Sequence, residues 1–175
     1  MLKMGASAQK VTARKGKRRR GLVYLYQSDF SSGADNWVEI SGVHSMGGTA
    51  SVGGQNDALQ IRCEAASGKA VKTAIKNVSS LSTGDIVSGN DYEVKLSYYI
   101  PSANDEVLYI ESITLGSTTT SVDTGAVTTD AWLARTITVT ASSSGSVVFA
   151  ISMNEDHESG TVDQIYLKNI SIREL

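Results

Sequence analysis

The chain has 175 residues, enough for one domain with a single hydrophobic core, and its formal net charge is only −2. Its one cysteine, Cys63, excludes an internal disulfide and a cysteine-based zinc cluster. No apolar run approaches the ~18 residues that a membrane-spanning helix needs, so we expect no membrane partner. Serine, threonine, glycine and valine are abundant and proline occurs once, a composition that favours strands and turns over helices.

The positive charge is concentrated at the N-terminus. The first 20 residues hold eight basic side chains and no acid, whereas the other 155 residues carry a net charge of −10 from eight basic and eighteen acidic side chains. A like-charge segment that cannot bury apolar surface does not fold alone. We therefore interpret residues 1–27 as an extended basic arm that docks on a partner. Seven side chains are its predicted contacts: Lys10, Arg14, Lys15, Lys17, Arg18, Arg19 and Arg20.

Three other interpretations of this arm stay open: a solvated basic tail, a targeting presequence, and a nucleic-acid-binding segment that acts by counterion release. Interleaved aromatic residues or a recognition helix would favour nucleic acid, and residues 1–21 contain neither. The negative charge of the remaining chain also opposes a phosphate surface. We therefore expect the arm to dock on acidic protein surfaces and do not expect nucleic acid as its partner.

At the end of the arm, residues 22–26 are a short β-prone run, which we expect to form the first strand or the strap that brings the arm to the body. We also expect this run to add a strand to the sheet of a neighbouring subunit. Two later strands are the clearest predictions. Residues 58–63 place three side chains on one face: Leu59, Ile61 and Cys63. Residues 91–100 place five side chains on one face: Tyr92, Val94, Leu96, Tyr98 and Ile100.

The same reading predicts further strands at residues 107–115, 132–141, 146–153 and 161–172. The first of these changes its inward face near Ser112, which is typical of a β-bulge. Residues 116–129 are predicted as a loop or an edge hairpin, and residues 154–159 as an acidic loop. Short strands about 10–15 residues apart, with turn signals between them, predict an all-β sandwich.

Five motifs, in their order along the chain, resemble carbohydrate-binding-module-like jelly-roll domains. They are DFSSGADNW at residues 29–37, NDALQI at 56–61, DYEVKLSYYI at 91–100, WLARTITV at 132–139 and GTVDQIYL at 160–167. The resemblance covers about residues 28–173, and the basic arm lies outside the family pattern. It implies that residues 28–175 form a jelly-roll β-sandwich.

In the resembled family a structural calcium ion often ties the first turn to the last strand through carboxylates and backbone carbonyls. Asp29 and Asp163 stand at the matching positions, so the resemblance implies a calcium site there, since calcium prefers oxygen ligands. The alternative is that both aspartates cap turns or accept hydrogen bonds from backbone amides. In that case no cofactor is expected.

The resemblance also implies glycan binding, which needs exposed aromatic rings for stacking. Tyr99 and Tyr109 lie on the polar phase of their strands, so we expect both to be exposed on one sheet. Trp37 and Trp132 match motif positions and are expected to pack in the core or at an edge. The two tyrosines are therefore the predicted glycan contacts.

No pattern in the chain predicts catalysis. Residues 155–158 contain three acids and one histidine, but four consecutive polar residues between strands are typical of a solvated loop. Neither His44 nor His157 accompanies a recognisable nucleophile motif. We therefore do not expect an enzyme.

These expectations combine in a non-enzymatic structural protein of a large assembly, with a displayed jelly roll and the basic arm as its anchor. Jelly rolls of the resembled kind recur on tailed bacteriophages as head decorations, head fibres and tail appendages. The predicted location is therefore the virion, and the predicted partners are major capsid, connector or tail subunits and further copies of the chain. One alternative is a glycan-binding module of a tail or adhesion apparatus, or of a secreted enzyme, that recognises surface glycans. A second alternative is a packaging protein that contacts nucleic acid.

Overall fold

The computed structural model describes residues 24–34, 37–41, 43–63, 71–77, 86–105, 108–125, 127–144, 149–157 and 162–175. Within them the chain forms eleven β-strands and no helix, which confirms the predicted all-β class. No helix in these ranges is long and apolar enough to cross a membrane.

The strands follow one another with short connections. Their bounds are β1 Tyr24–Ser28, β2 Trp37–Ser41, β3 Val43–Val52, β4 Gln55–Cys63, β5 Val71–Asn77, β6 Asp91–Tyr99, β7 Ile110–Leu115, β8 Thr118–Ser121, β9 Trp132–Thr140, β10 Phe149–His157 and β11 Asp163–Glu174.

Two antiparallel sheets form the sandwich. Sheet A has the order β3-β4-β11-β6-β9, with β1 paired to the second half of β11. Sheet B has the order β2-β5-β10-β7-β8. Locally, therefore, β1, β11, β6 and β9 lie side by side, which becomes important for the candidate site.

Alternation along the central strands explains why the two sheets pack together. The five predicted inward residues of β6 and the residue after it, from Tyr92 to Ile100, are all at most 1% exposed. The three predicted inward residues of β4 are fully buried. Both predictions are thus confirmed, because a period of two places every second side chain against the opposite sheet.

A charged hydrogen-bond cluster closes the sandwich where the two sheets meet at β9. The Tyr98 hydroxyl donates to Asp123 Oδ2 at 2.5 Å, and Arg135 Nε donates to Asp123 Oδ1 at 2.9 Å. The Arg135 guanidinium carbon also lies 5.6 Å from the centre of the Tyr98 ring, a cation–π contact. Burial, followed by the bond to Asp123, raises the pKa of Tyr98, so the phenol remains a donor. The segment after β8 is thereby tied to sheet A.

Three further predictions concern strands β7, β8 and β10 of sheet B. The bulge near Ser112 is confirmed, since the pairing of β10 with β7 slips between Ile110 and Ser112. Part of residues 116–129 forms the edge strand β8, as one of the two expected alternatives. The predicted acidic loop is wrong for residues 154–157, because β10 continues through His157 and pairs with β5.

The run at the end of the predicted arm forms the first strand, as one of the two expected alternatives. Residues 24–28 pair with β11 of the same chain, so residues 24–27 belong to the sandwich and not to the arm. The addition of a strand to a neighbouring subunit stays a prediction. Strands β2, β3 and β5 were not predicted. Much of β3 is glycine, serine and threonine, so its place in the sheet follows from its pairing with β4 rather than from apolar alternation.

Candidate functional site: a groove on the outer face of sheet A

The outer face of sheet A carries the side chains that alternate with the core. Along β6, each outward residue has a direct partner on β9: Ser97 lies opposite Ala134, and Lys95 lies opposite Thr136. Directly paired residues of an antiparallel ladder point to the same face. Small and polar side chains therefore cover the centre of this face.

A β-bulge in β11 opens this face into a groove. The pairing of β11 with β6 slips between Lys168 and Ser171, and Asn169 adopts a positive φ of 53°. This left-handed conformation is uncommon outside glycine and asparagine, and a bulge bends the strand that carries it. The groove has a volume of about 330 Å³ and touches β1, β11, β6 and β9. Its polar lining includes Gln27, Lys95, Ser97, Thr136, Asn169 and Ser171.

A second hollow of about 330 Å³ adjoins this groove at the turn after β1. The two share Gln27, Ser28 and Asp29 as lining. Four neighbouring strands at a spacing of about 4.8 Å give the groove a length of ~14 Å, which the second hollow extends. We call the combined depression the cross-strand groove, because it runs across the strands rather than along them.

Linked charges border the groove on β6. Lys95 Nζ lies 3.1 Å from Glu93 Oε1, and Arg173 Nε donates to the same oxygen at 2.6 Å. The hydrogen bond from Arg173, followed by that from Lys95, lowers the pKa of Glu93 to about 2. Glu93 is thus ionised at neutral pH and holds the Lys95 ammonium group at the groove.

Asp29 contributes a carboxylate to the same groove. Its Oδ1 accepts hydrogen bonds from the Ser31 amide at 3.0 Å and from the Ser31 hydroxyl at 2.7 Å. These bonds, the amide bond first, lower the pKa of Asp29. The lining therefore contains an ionised carboxylate, an ammonium group and the guanidinium of Arg135 among neutral hydroxyl and amide groups.

An aromatic cluster lies beside the groove, one outward position further along the same strands. Tyr99 is paired with Trp132 on β9 and with Tyr166 on β11. The ring centres of Tyr99 and Trp132 are 5.7 Å apart, and those of Tyr99 and Tyr166 are 6.2 Å apart, in tilted and edge-on arrangements. Such geometry is favourable for aromatic pairs. Burial and then the Asp130 carboxylate raise the pKa of Tyr99, whose hydroxyl donates to Asp130 at 3.2 Å.

The turn between β3 and β4 covers this cluster. Gly53 and Gly54 have φ values of 55° and 73°, the pattern of a two-residue type I′ hairpin turn. Trp132 Nε1 donates to the Val52 carbonyl at 3.2 Å. A Cβ atom on Gly53 would lie 2.6 Å from the Tyr99 ring, so only glycine lets the backbone approach the ring this closely. We call residues 51–56 the hairpin tip.

The predicted glycan contacts are not brought together. Tyr99 is only 8% exposed, because the hairpin tip lies over it, and Tyr109 directly precedes β7 in sheet B. The expectation that both are exposed on one sheet is therefore wrong, while a glycan contact by Tyr99 stays a prediction. Trp37 is buried in the core and Trp132 packs on an edge strand, as expected.

The two predicted calcium ligands also lie apart. Strand β1 ends opposite Ile170, just before Asp29, whereas Asp163 is paired with Cys63 at the other end of β11. About six residues of extended strand, ~20 Å, separate the two aspartates. Asp163 accepts a hydrogen bond from the Asp105 amide at 2.8 Å, so both aspartates bind backbone amides, the alternative interpretation.

A calcium ion that bridges the first turn and the last strand through these two side chains therefore does not fit. Among the described ranges no group of three or more histidine, cysteine, aspartate or glutamate side chains is placed to hold a metal ion. The seven predicted docking residues of the arm, Lys10, Arg14, Lys15, Lys17, Arg18, Arg19 and Arg20, lie outside the described residues.

Sequence reasoning missed the groove and its cover. The bulge at Asn169 has no local signature, because its neighbours are ordinary strand residues and only the register reveals it. The pair Gly53–Gly54 did carry a usable signal, since two glycines between strands favour a type I′ turn. That signal predicts the turn but not the ring that lies beneath it.

No protein-family model matches the chain, and no relative was found among curated proteins. Solved structures match it by fold. The xylan-binding module CBM22-1 of Paenibacillus barcinonensis Xyn10C matches with a TM-score of 0.56 at 13% identity, over 89% of this chain and 96% of that chain. The C-terminal family 22 module of Clostridium thermocellum Xyn10B matches with a TM-score of 0.55 at 11% identity, over 86% and 92%.

The chain has the β-sandwich fold of carbohydrate-binding modules. A longer chain of Clostridium thermocellum Xyn10B, which joins a family 22 module to a xylanase module and was solved with xylohexaose, matches with a TM-score of 0.56 at 10% identity. The match covers 87% of this chain but only 28% of that one. These similarities establish the predicted sandwich, and at such identities they show the fold alone.

Proposed function

We propose that the protein is a non-enzymatic carbohydrate-binding module that holds a segment of a polysaccharide chain in the cross-strand groove. The observation that carries this proposal is the groove itself, which crosses four strands beside an aromatic cluster. An elongated depression open across the strands suits an extended chain better than a compact ligand. The fold shared with modules that bind xylan supports the same class of ligand.

The chemistry of the lining suits a polyhydroxylated ligand. Lys95 and Asn169 supply hydrogen-bond donors, Asp29 supplies an acceptor, and the hydroxyls of Ser97 and Thr136 do both. The floor is low because Ala134 and Ser97 are small, which leaves room for a sugar ring. The Lys95 ammonium group is paired with Glu93 and the Arg135 guanidinium with Asp123, so both cations of the groove already have a carboxylate partner and a neutral polysaccharide is favoured over an acidic one.

A steric block of the floor tests this site. Ala134→Ile adds bulk to an exposed floor position of β9, and Thr138→Ile adds the same side chain to the same face outside the groove. We expect Ala134→Ile to weaken binding of xylohexaose by at least about tenfold, or ~1.4 kcal/mol, and Thr138→Ile to leave it unchanged. Isothermal titration of the full chain with xylohexaose, cellohexaose and mannohexaose measures this and identifies the preferred sugar.

Two outcomes contradict the proposal. Binding by the full chain to none of the oligosaccharides removes the function. Binding that is equal in both variants moves the site away from the cross-strand groove. Because both substituted residues lie on an edge strand and are exposed, circular dichroism is expected to show the same fold for each.

A virion structural role is a second candidate, supported by the eight basic and no acidic residues among the first 20. It is compatible with glycan binding, since a particle-bound module is able to recognise a surface polysaccharide. Deletion of residues 1–20 is expected to leave a folded body that retains oligosaccharide binding but no longer joins the particle. Normal incorporation of the truncated protein would show that the arm is not the anchor.

A further inference from the structure

The aromatic cluster on the outer face of sheet A is buried by very little protein. Tyr99 and Tyr166 are each 8% exposed, although their strands face solvent on this side. Over Tyr99 lies the hairpin tip, whose own residues are mostly exposed: Ser51, Gly53, Gly54, Gln55 and Asn56. Rings of this kind are the groups that a sugar ring stacks on, and here they lie directly beside the groove.

Among the described residues, the hairpin tip is held to the rest of sheet A by the packing of Val52 against the aromatic cluster and by two side-chain hydrogen bonds. One is the 3.2 Å hydrogen bond from Trp132 to the Val52 carbonyl, and another is the bond from Lys168 to the Asn56 carbonyl. The ladder between β3 and β4 slips three times, and two of these slips lie next to the tip, between Gly47 and Ala50 and between Ala50 and Val52. A segment with exposed backbone and an irregular ladder opens locally at a lower free energy than a core strand.

We infer that the hairpin tip is a lid on the aromatic cluster beside the cross-strand groove, and that its opening offers Tyr99 and Trp132 to the saccharide as a stacking platform. This inference rests on the proposed function. The closed tip and a bound sugar ring compete for the same faces of the two rings. Apparent affinity is then reduced by the fraction of molecules in which the tip is open.

Gly53 and Gly54 provide a matched test. Both have positive φ, so alanine strains the backbone at either position. At Gly53 the new Cβ would meet Tyr99 Cε2 at 2.6 Å and Trp132 Nε1 at 2.9 Å, whereas at Gly54 it meets nothing within 4 Å. Since the Tyr99 ring is packed between two aromatic neighbours, the tip has to move away in Gly53→Ala and not in Gly54→Ala.

Two measurements on the full chain follow the lid. Acrylamide quenching and fluorine NMR of fluorotryptophan-labelled protein are expected to report a more accessible Trp132 in Gly53→Ala only, with the buried Trp37 as internal reference. Titration with xylohexaose is expected to show a gain in affinity of about threefold to tenfold for Gly53→Ala over Gly54→Ala, because more molecules are open.

A second variant guards against failure of Gly53→Ala to fold. Lys168→Met keeps the aliphatic stem but removes the donor to the Asn56 carbonyl, so it is expected to shift Trp132 accessibility and affinity in the same direction. Equal quenching and equal affinity in all variants would overturn the lid. An accessible Trp132 with unchanged or weaker binding would also overturn it, because the rings would then not serve as a platform.

The lid and the proposed function fail in different ways. If the wild type binds xylohexaose, is blocked by Ala134→Ile and gains nothing from Gly53→Ala, only the lid is wrong. If no variant binds any of the three oligosaccharides, including one with an accessible Trp132, the proposed function is wrong and the lid with it.

Discussion

The two faces of sheet A bury neighbouring tyrosines by different means. Tyr98 points inward, is fully buried and lies against the core that sheet B completes. Tyr99 points outward, is 8% exposed and lies beneath a two-residue turn. Their low exposed fractions alone would assign both tyrosines to a core. Sheet B, which covers Tyr98, is however much larger and more firmly attached than the turn that covers Tyr99.

The inner face of sheet A is buried as part of the core, whereas the aromatic cluster on the outer face is only covered by a short turn. The inner face is closed by a whole sheet, so no partial motion uncovers it without loss of the sandwich. The outer cluster is covered by residues 51–56, which take no part in the pairing of β11, β6 and β9, so the inferred opening of the lid leaves that pairing intact. A buried aromatic cluster on the outer face of a sheet is therefore a candidate binding surface, whereas one between sheets is structural.

Replacement of each tyrosine by alanine should give the largest difference in stability between the two faces. Tyr98→Ala removes a ring from the core and a donor to Asp123, and we expect it to lower the free energy of unfolding by about 3–5 kcal/mol. Tyr99→Ala should cost less, since the hairpin tip is able to settle into the vacated space. Urea denaturation of both variants measures this, and equal losses would show that the tip is as fixed as sheet B.

The cluster at Asp123 should show the next largest effect. Asp123→Asn weakens the bond from the Tyr98 hydroxyl and the pair with Arg135, whose Nη2 lies 2.9 Å from Asp123 Oδ1. Because both charges are only partly exposed, we expect a loss of about 1–3 kcal/mol in urea denaturation.

A control for this change is Asp91→Asn, which alters an exposed bond to the Thr140 hydroxyl and should have little effect. Similar losses of unfolding free energy in the two variants would mean that the bonds of Asp123 stabilise the fold no more than an exposed surface bond does.

The inner face of sheet A was easier to predict from the sequence than its outer face and its edge. The inner face of β6 and β4 was predicted residue by residue, because burial between two sheets imposes an apolar side chain at every second position. Strand β3 escaped prediction because it is an edge strand of small residues, whose position depends on the hydrogen bonds of β4.

The outer face was less predictable because its shape depends on contacts between residues far apart in the chain. Tyr99 was correctly placed on the outward phase, yet its cover comes from Gly53, 46 positions earlier in the chain. The groove depends on a register slip at Asn169, and the separation of Asp29 from Asp163 depends on which end of β11 pairs with β1. None of these follows from a local pattern.

A smaller, pH-dependent effect is expected at the charged border of the groove. The pKa of Glu93 is lowered in the folded protein to about 2 from 4.5, so its ion pairs stabilise the fold above pH 4.5 and lose this effect as the pH falls from 4.5 through 2. The wild type should therefore melt slightly above Glu93→Gln at pH 7, with a difference that shrinks over that range and in 1 M salt. A difference that is independent of pH would exclude the ion pairs as its source.

The last prediction is a difference of zero between Gly53→Ala and Gly54→Ala, and it tests whether the lid opens independently of the core. Cys63 is fully buried on the inner face, and its strand is paired with β3 on one side and β11 on the other. Labelling by a thiol reagent should therefore follow opening of the sandwich, at a rate that Gly53→Ala and Gly54→Ala change equally. A labelling rate that rises in Gly53→Ala alone would mean that displacement of the hairpin tip also opens the core. The tip and the core would then unfold as one cooperative unit, and the tip would not be a separate lid.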